Sequence, residues 1–143
     1  MTIHQISVFL ENRAGQLAEI ADILANNGID LRAINIAETA DYGVLRLIVC
    51  DAHKASAILL EQGFILTMTP VVAVAVNDEP GGLAKLLKLL AQDNIGVEYM
   101  YSIFGHADGK AHMIFRVADT DKMTALLTAN GYETTSAEAL GVS

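Results

Sequence analysis

The sequence has few cysteines, prolines and basic residues, and it has no tryptophan. Its single cysteine, Cys50, excludes a disulfide within the chain and any metal or redox motif that needs paired cysteines. Because Cys50 lies in the apolar run 44–50, we expect a buried and unreactive thiol. The four histidines are scattered and lack the spacing of metal ligands, so we expect neither a metal nor another cofactor.

Basic residues are outnumbered by acidic ones, 9 against 17, which gives a formal net charge of −8. This charge repels phosphate backbones, so we do not expect nucleic acid as a partner. No apolar run approaches the roughly 20 residues that a membrane span needs. Residues 1–5 lack the basic start of a signal peptide, so we expect no membrane association and a cytoplasmic location.

The sequence also lacks a catalytic constellation. No serine or cysteine nucleophile has a base as its neighbour, and Gly81-Gly82 is too short for a phosphate-binding loop. The carboxylates of Asp119 and Asp121 fall at a predicted helix start, where acidic residues commonly act as caps. An enzyme is therefore the weakest of the possible functions, and we expect none.

The most informative stretch is 10–17, where an alternating apolar run ends and a helical pattern begins. The first amide groups of a helix have no partners within it, and with the helix dipole they form a site for an anion such as a carboxylate. Gly15 would let a ligand approach the backbone closely. The alternative is that Gly15 merely makes a tight turn.

The same stretch recurs in the second half of the chain. Gly81 lies 66 positions after Gly15, and the helical patterns that follow match at the same offset. Further on, Gly131 follows Gly63 at an offset of 68, because two extra residues fall in the turn 104–109. Insertions of this kind are typical of turns, so the sequence predicts two copies of one fold.

Each copy has the element order β-α-β-β-α-β, which indicates a ferredoxin-like α+β fold with an antiparallel sheet and both helices on one face. Since each copy would be marginal alone, we expect two domains, 1–69 and 70–143, that share one continuous sheet. The predicted strands are 2–10, 29–37, 44–50, 64–68, 71–76, 95–103, 111–117 and 132–138. The predicted helices are 16–27, 51–62, 82–93 and 119–130.

Aromatic residues cluster in the second copy. Tyr99 and Tyr101 are two positions apart, which places them on one face of a strand, and Phe104 follows in the turn. Core packing, a subunit interface and a ligand pocket all remain open for them. His106 in the same turn is interpreted as a solvated loop residue, with contact to a ligand or partner as the alternative.

The stretch from Glu11 to Leu17 resembles the strand–helix loop of ACT domains, the small amino-acid-sensing modules of metabolic regulation. In that family the loop often has the sequence Asn-Arg-Pro-Gly, followed by an aliphatic residue and leucine. The second copy, from Glu79 to Leu83, has the Pro-Gly that the first lacks. The segments 29–31 and 95–97 are similar to the family's start of the second strand, so the resemblance covers essentially the whole chain.

The resemblance implies two ACT units, side by side and paired through their second strands. It also implies a stand-alone regulatory protein that senses a free amino acid and modulates a partner enzyme of amino-acid or aromatic-acid metabolism. Members of the family commonly associate further, so we expect a homodimer. The alternative function is an ACT-like interaction or dimerisation module that binds no ligand.

The resemblance also implies two effector sites, each between the loop of one unit and the second strand of the other. The first is implied to comprise Asn12, Arg13, Ala14, Gly15, Gln16 and Leu17 with Gly96, Val97, Glu98 and Tyr99. The second is implied to comprise Asn77, Asp78, Glu79, Pro80, Gly81, Gly82 and Leu83 with Asp30 and Leu31.

Several side chains bear on the identity of the amino acid. Asp30 and Leu10 stand where serine-binding members carry asparagine and histidine, which argues against serine. Asp30 is a suitable acceptor for the ligand's ammonium group. The aliphatic residues at the implied sites leave apolar space, so we expect a hydrophobic or aromatic amino acid; these residues are Leu17, Leu31, Leu83 and Val97.

Overall fold

A computed structural model describes residues 3–11, 13–38, 42–104 and 109–136. The strands are β1 (Ile3–Glu11), β2 (Leu31–Glu38), β3 (Tyr42–Val49), β4 (Leu66–Asn77), β5 (Val97–Ser102) and β6 (Lys110–Val117). The helices are α1 (Gln16–Asn26), α2 (Ala52–Glu61), α3 (Gly82–Gln92) and α4 (Thr120–Ala129). The described residues form two compact units, an amino-terminal unit of residues 4–69 and a carboxy-terminal unit of residues 70–136 together with Ile3.

The amino-terminal unit is an antiparallel sheet with the strand order β2-β3-β1-β4. Val8 lies opposite Leu45, and Ile34 lies opposite Leu47. Alternate residues of the strands point to one face, where they pack against both helices of the unit. The core includes Ile6, Val8, Leu10, Leu45, Leu47 and Val49 from the strands and Ile20, Leu24, Ala52, Ala55 and Leu59 from the helices.

The carboxy-terminal unit repeats this arrangement with the strand order β4-β6-β5. Val74 lies opposite Met113 in the antiparallel pair β4–β6. The strands bury Val72, Val74, Val76, Phe115 and Val117 against Leu86, Leu90, Met123 and Leu127 of the helices. The predicted α+β class and the ferredoxin-like order of elements are thereby confirmed.

Strand β4 corrects the prediction of two separate strands, 64–68 and 71–76. The structure has one strand, Leu66–Asn77, which runs through Pro70. A proline has no amide hydrogen to donate to a sheet, so it normally interrupts a central strand. Pairing of β4 with β6 begins only at Val72, so Pro70 precedes this ladder. Its carbonyl accepts a hydrogen bond from Arg116 at 2.9 Å.

The predicted strand 132–138 is wrong for its described part. Up to Ser136 the segment forms an isolated bridge between Thr134 and Val74 instead of a regular strand. The amide of Thr135 donates to the carbonyl of Ala73 at 2.8 Å, which holds the segment along β4. Residues 137 and 138 lie outside the described residues.

The helices are confirmed, since each end lies within one residue of the prediction.

Cys50 is half-buried and not fully buried as predicted. Its sulfur faces the start of β2 and accepts the amide of Asp30 at 3.3 Å. In the described residues no group of three or more His, Cys, Asp or Glu side chains is placed to hold a metal ion. None of the described helices is long and apolar enough to span a membrane. His106 lies outside the described residues.

Candidate functional site

The two strand–helix loops have the same backbone conformation at the glycine where each helix begins. We call residues 12–17 the amino-terminal loop and residues 77–83 the carboxy-terminal loop; Asn12 lies outside the described residues. Gly15 has φ 87° and ψ −10°, and Gly81 has φ 87° and ψ −8°. This left-handed region strains any residue with a Cβ atom, so both loops use glycine at the point where the helix begins.

The hydrogen bonds of the two loops also repeat. The amide of Gln16 donates to the carbonyl of Arg13 at 3.4 Å, and the amide of Gly82 donates to that of Glu79 at 3.1 Å. One turn later, Glu19 and Lys85 donate their amides to the carbonyls of the two loop glycines. The sequence repeat therefore corresponds to a repeat of loop geometry.

Neither loop caps its helix with a side chain. Gly15 and Gly81 are the N-caps of α1 and α3, and neither helix has a side-chain acceptor for its first amides. Helices α2 and α4 differ, since the carboxylates of Asp51 and Asp119 accept the amides of Lys54 and Lys122 at 3.1 and 3.0 Å. The first amide of each helix donates to a loop carbonyl, and the second and third amides of α1 and α3 are thus suited to an external anion.

The loops differ in how they are attached to the preceding strand. In the amino-terminal loop, the buried Gln16 accepts the amide of Glu11 through its Oε1 atom at 2.8 Å. In the carboxy-terminal loop, Gly82 brings its backbone so close to the strand that an added Cβ would lie 2.2 Å from the carbonyl oxygen of Asn77. One loop is held by a side chain and the other by close contact of the backbone.

The remaining loop residues are mostly accessible. Ala14, Leu17, Asp78 and Pro80 are exposed, whereas Leu83 packs against the core of its unit. Arg13 forms an exposed ion pair with Glu19 at 3.4 Å. The side chains on the loop surface therefore leave the glycine backbone open to solvent.

The implied residues at the start of β2 lie in the amino-terminal unit. Asp30 is exposed, and its carboxylate is paired with Arg32 two positions along. Leu31 packs against the core. The predicted acceptor for an ammonium group is therefore on the surface, but it already has a cationic partner.

The implied residues at the start of β5 lie in the carboxy-terminal unit. Gly96 is exposed, and Val97 packs against the core. The carboxylate of Glu98 lies 3.9 Å from Nε of Arg116. The ring of Tyr99 stacks on that of Tyr101 with centroids 6.4 Å apart, which confirms that the two tyrosines share one face. Tyr101 is buried, so its role includes core packing.

Each unit has a cleft beside its own loop, at equivalent positions of the repeat. The amino-terminal cleft has a volume of about 410 Å³ and is lined by Phe9, Leu10, Glu11, Gln16, Tyr42, Gly63, Phe64 and Ile65. The carboxy-terminal cleft has a volume of about 240 Å³ and is lined by Asn77, Glu79, Gly82, Lys85, Asn130, Gly131 and Tyr132. The first is largely apolar and the second largely polar, although both are built on the same backbone plan.

Sequence reasoning missed most of the cleft residues. In the amino-terminal cleft, the rings of Phe9 and Tyr42 are 5.8 Å apart, and both side chains are exposed, as is that of Ile65. The signal was present in the sequence, because Phe9 occupies a polar position in the alternation of β1. Phe9 becomes part of the cleft only in the folded sheet, where Ile65 lies beside it. The carbonyl of Ile65 accepts the amide of Phe9 at 2.9 Å.

Comparison with solved structures agrees with this architecture. The crystal structure of protein BT0572 from Bacteroides thetaiotaomicron is 37% identical and has a TM-score of 0.92, covering 99% of this chain and 96% of that chain. The ligand-free regulatory subunit of aspartate kinase from Thermus thermophilus is 17% identical with a TM-score of 0.62, covering 90% of this chain and 92% of that chain. The corresponding subunit from Thermus flavus is 18% identical with a TM-score of 0.60, covering 90% and 91%. The two kinase subunits share the fold.

The family assignment follows from the sequence as a whole. No curated protein sequence matches the chain. A sequence model described as an ACT domain pair matches residues 1–141, which includes both loops and both units. The chain therefore belongs to the family of ACT domain pairs.

Proposed function

We propose that this protein binds a free amino acid at its two loops and thereby modulates a partner enzyme. The observation that carries the proposal is the pair of glycine-initiated helices without side-chain caps, at the same place in both copies. Membership of the ACT domain pair family supports a regulatory role. The shared fold with regulatory subunits of aspartate kinase agrees with it.

The carboxylate of the amino acid is assigned to the second and third amides of α1 and α3, because the first amide of each helix already donates to a loop carbonyl. A hydrogen bond from an amide to a charged group contributes roughly 1.5–3 kcal/mol, and the positive end of the helix dipole adds to it. Both Gly15 and Gly81 leave the space beside the loop empty, because a Cβ at either position would meet no atom within 4 Å. An anion can therefore reach the backbone.

The ammonium group is assigned to the carboxylates at the starts of β2 and β5. Asp30 and Glu98 are the carboxylates at these positions, and both belong to the sites that the family resemblance implies. Both carboxylates are solvent-accessible, although each has an arginine nearby. Because such exposed pairs are weak, a ligand ammonium can replace the arginine at little cost.

A hydrophobic or aromatic amino acid fits the surroundings of the loops best. Leu17 and Leu83 flank the two loop glycines, and the amino-terminal cleft adds the rings of Phe9 and Tyr42. Covering exposed apolar side chains stabilises a complex by about 25 cal/mol for each Å² removed from water. A partner enzyme in amino-acid or aromatic-acid metabolism would match such a ligand.

We also propose that two copies of the chain assemble. In the described part of each unit, β2 pairs only with β3, and β5 pairs only with β6. An edge strand offers unpaired backbone groups to another strand, so these edges are suited to a second copy. Light scattering at micromolar concentration, with and without ligand, checks this: a mass of about 31 kDa is expected from two chains of 15.3 kDa each. A monomer under both conditions would contradict it.

The central experiment is a thermal-shift screen of the twenty amino acids, followed by titration calorimetry on variants. We expect one hydrophobic or aromatic amino acid to raise the melting temperature. In Gly15→Leu/Gly81→Leu the new side chains cover the amides, so binding should be lost while the protein still folds. Each leucine strains the backbone by roughly 1–2 kcal/mol.

Gly28→Leu provides the matched control. Gly28 also has a positive φ, 68°, and open space for a Cβ, but it lies at the end of α1, away from both loops. The control carries one strained leucine instead of two, so it should lose about half as much stability as the double variant and keep its affinity. If the double loop variant retains full affinity, or if no amino acid binds the native protein, the ligand-free interaction module is the better explanation.

A further inference from the structure

We propose that a further groove, on the outer surface of α3, binds a small organic anion with two negative charges. This groove adjoins the carboxy-terminal loop, because Gly81 lines it, but the proposal does not depend on the amino-acid sites proposed above. The groove has a volume of about 580 Å³ and belongs entirely to the carboxy-terminal unit. We call it the lysine groove; it is lined by Gly81, Ala84, Lys85, Lys88, Leu89, Gln92, Asn130 and Tyr132.

The charge of the lysine groove is concentrated in Lys85 and Lys88. They are three positions apart on one helix, so their side chains are neighbours on the same face, where like charges repel. Both are exposed, and within the described part of the chain neither side chain forms an ion pair or a hydrogen bond. The lining contains no acidic residue. A dianion between the two ammonium groups would remove the repulsion.

The other copy of the fold shows that these lysines are not needed for the helix. At an offset of 66, the positions of Lys85 and Lys88 correspond to Glu19 and Asp22 on α1. Two helices with the same place in the same fold thus carry opposite charges. In a chain with a net charge of −8, a pair of lysines in a groove whose lining has no acidic residue is a local exception. We infer that it is selected for a ligand.

The rest of the lining indicates the class of ligand. Ala84, Leu89 and the half-buried ring of Tyr132 provide a short apolar surface. Gln92 offers an amide, whereas the amide nitrogen of Asn130 is already used to bond the carbonyl of Leu126 at 2.8 Å. A dicarboxylate or a phosphate ester with a small carbon skeleton has this combination of charge and apolar surface. Volumes of this size are usual for small-molecule sites.

A negative charge beside the lysine groove limits where the ligand can lie. Lys85 also lines the smaller carboxy-terminal cleft, which it shares with Glu79. The carboxylate of Glu79 accepts a weak hydrogen bond from Asn77 at 3.4 Å and is exposed. This negative charge disfavours an anion on that side, so the ligand should lie along the face of α3 that carries Lys88 and Gln92.

Binding of inorganic phosphate, succinate and phosphoenolpyruvate, each measured by calorimetry at matched ionic strength, tests the proposal. The variant Lys85→Glu/Lys88→Asp replaces each lysine by the residue of the other copy, so the helix should tolerate it. We expect roughly tenfold or greater weakening of anion binding. The control variant Glu19→Lys/Asp22→Lys changes the net charge by the same amount in the opposite sense, but leaves the lysine groove intact and should bind with native affinity.

The three probes distinguish the sources of the anion. Binding of phosphoenolpyruvate or phosphate alone assigns a phosphate-bearing ligand, and binding of succinate alone assigns a dicarboxylate; either supports the site if the double lysine variant loses it. Affinity should also fall as salt rises, because the site is exposed. Equal binding by native protein and lysine variant, or no binding of any of the three probes, would overturn the proposal.

Discussion

The helices of each unit begin in two different ways, and the difference separates the candidate site from the scaffold. Helices α2 and α4 begin at Asp51 and Asp119, whose carboxylates satisfy an amide of the first turn. Helices α1 and α3 begin at glycine and have no such acceptor. Both copies keep this contrast, although most of their side chains differ. Capping stabilises a helix from within, whereas a glycine start leaves its amides to water or to a ligand.

The two loops also differ from each other. Gln16 holds the amino-terminal loop to the end of β1 through its side chain, while Gly82 allows direct contact between backbones in the carboxy-terminal loop. The same turn is therefore fixed by different interactions, and the two loops should respond differently to substitution.

The largest effect is expected for Gly82→Ala. The new Cβ would lie 2.2 Å from the carbonyl oxygen of Asn77, and a backbone atom cannot move aside without shifting the strand end. We expect the free energy of unfolding to fall by about 3 kcal/mol, measured by urea denaturation. Gly96→Ala is the control, since its Cβ would meet nothing within 4 Å. Equal stability of the two variants would contradict close contact as the reason for glycine at position 82.

Gln16→Met should be the next most harmful change. Methionine fills similar space but cannot accept the amide of Glu11, which would lose its side-chain partner in a partly buried hydrogen bond. The expected loss is roughly 2 kcal/mol, seen in urea denaturation and in faster amide exchange at Glu11. Gln62→Met, at an exposed position at the end of α2, should have little effect. Unchanged exchange at Glu11 would show that the hydrogen bond does not hold the loop.

Removal of either aspartate cap should cost less. Asp51→Ala and Asp119→Ala each delete one acceptor at the surface, with an expected loss of about 1 kcal/mol and a lower melting temperature. Asp121→Ala serves as the control, since Asp121 lies in the first turn of α4 but is not its cap. If Asp121→Ala is as harmful as Asp119→Ala, general charge at the helix start explains the stability, and the cap does not.

The comparison also shows what local patterns can predict. Helix ends were predictable because glycine and aspartate act on residues next to them, as in the cap of Asp51 and the left-handed turn at Gly28, φ 68°. The continuity of β4 through Pro70 was not predictable, because it depends on where β4 begins to pair with β6. The residues of β6 in this pairing lie more than 40 positions later in the sequence.

The candidate site shows the same limit. The two loops were predicted from their sequence pattern and proved to have equivalent backbones. The hydrogen bond from the amide of Glu11 to the side chain of Gln16 was not predicted, since a buried glutamine that bonds to a strand end has no distinct local signal. The clefts were missed for a similar reason: Phe9 and Ile65 are far apart in sequence and become neighbours only in the folded sheet.

The smallest effect on stability, and the sharpest one on binding, is expected at Asp30. Its ion pair with Arg32 is exposed, with 69% of the Asp30 side chain accessible, so Asp30→Ala should change the free energy of unfolding by less than about 0.5 kcal/mol. If Asp30 accepts the ammonium of the amino acid, the same variant should weaken binding of the amino acid, measured by calorimetry.

Arg32→Ala breaks the same ion pair by removing the other partner. It therefore separates direct contact of Asp30 with the ligand from a structural role of the ion pair. It should have an equally small effect on stability, but it frees the carboxylate of Asp30 from its competitor, so affinity for the amino acid should stay the same or rise. If only the ion pair mattered, Asp30→Ala and Arg32→Ala would change the affinity equally. If Asp30 contacts the ligand directly, Asp30→Ala should lower the affinity and Arg32→Ala should leave it the same or raise it. Equal weakening by Asp30→Ala and Arg32→Ala would therefore assign the ion pair a structural role and remove Asp30 from the site.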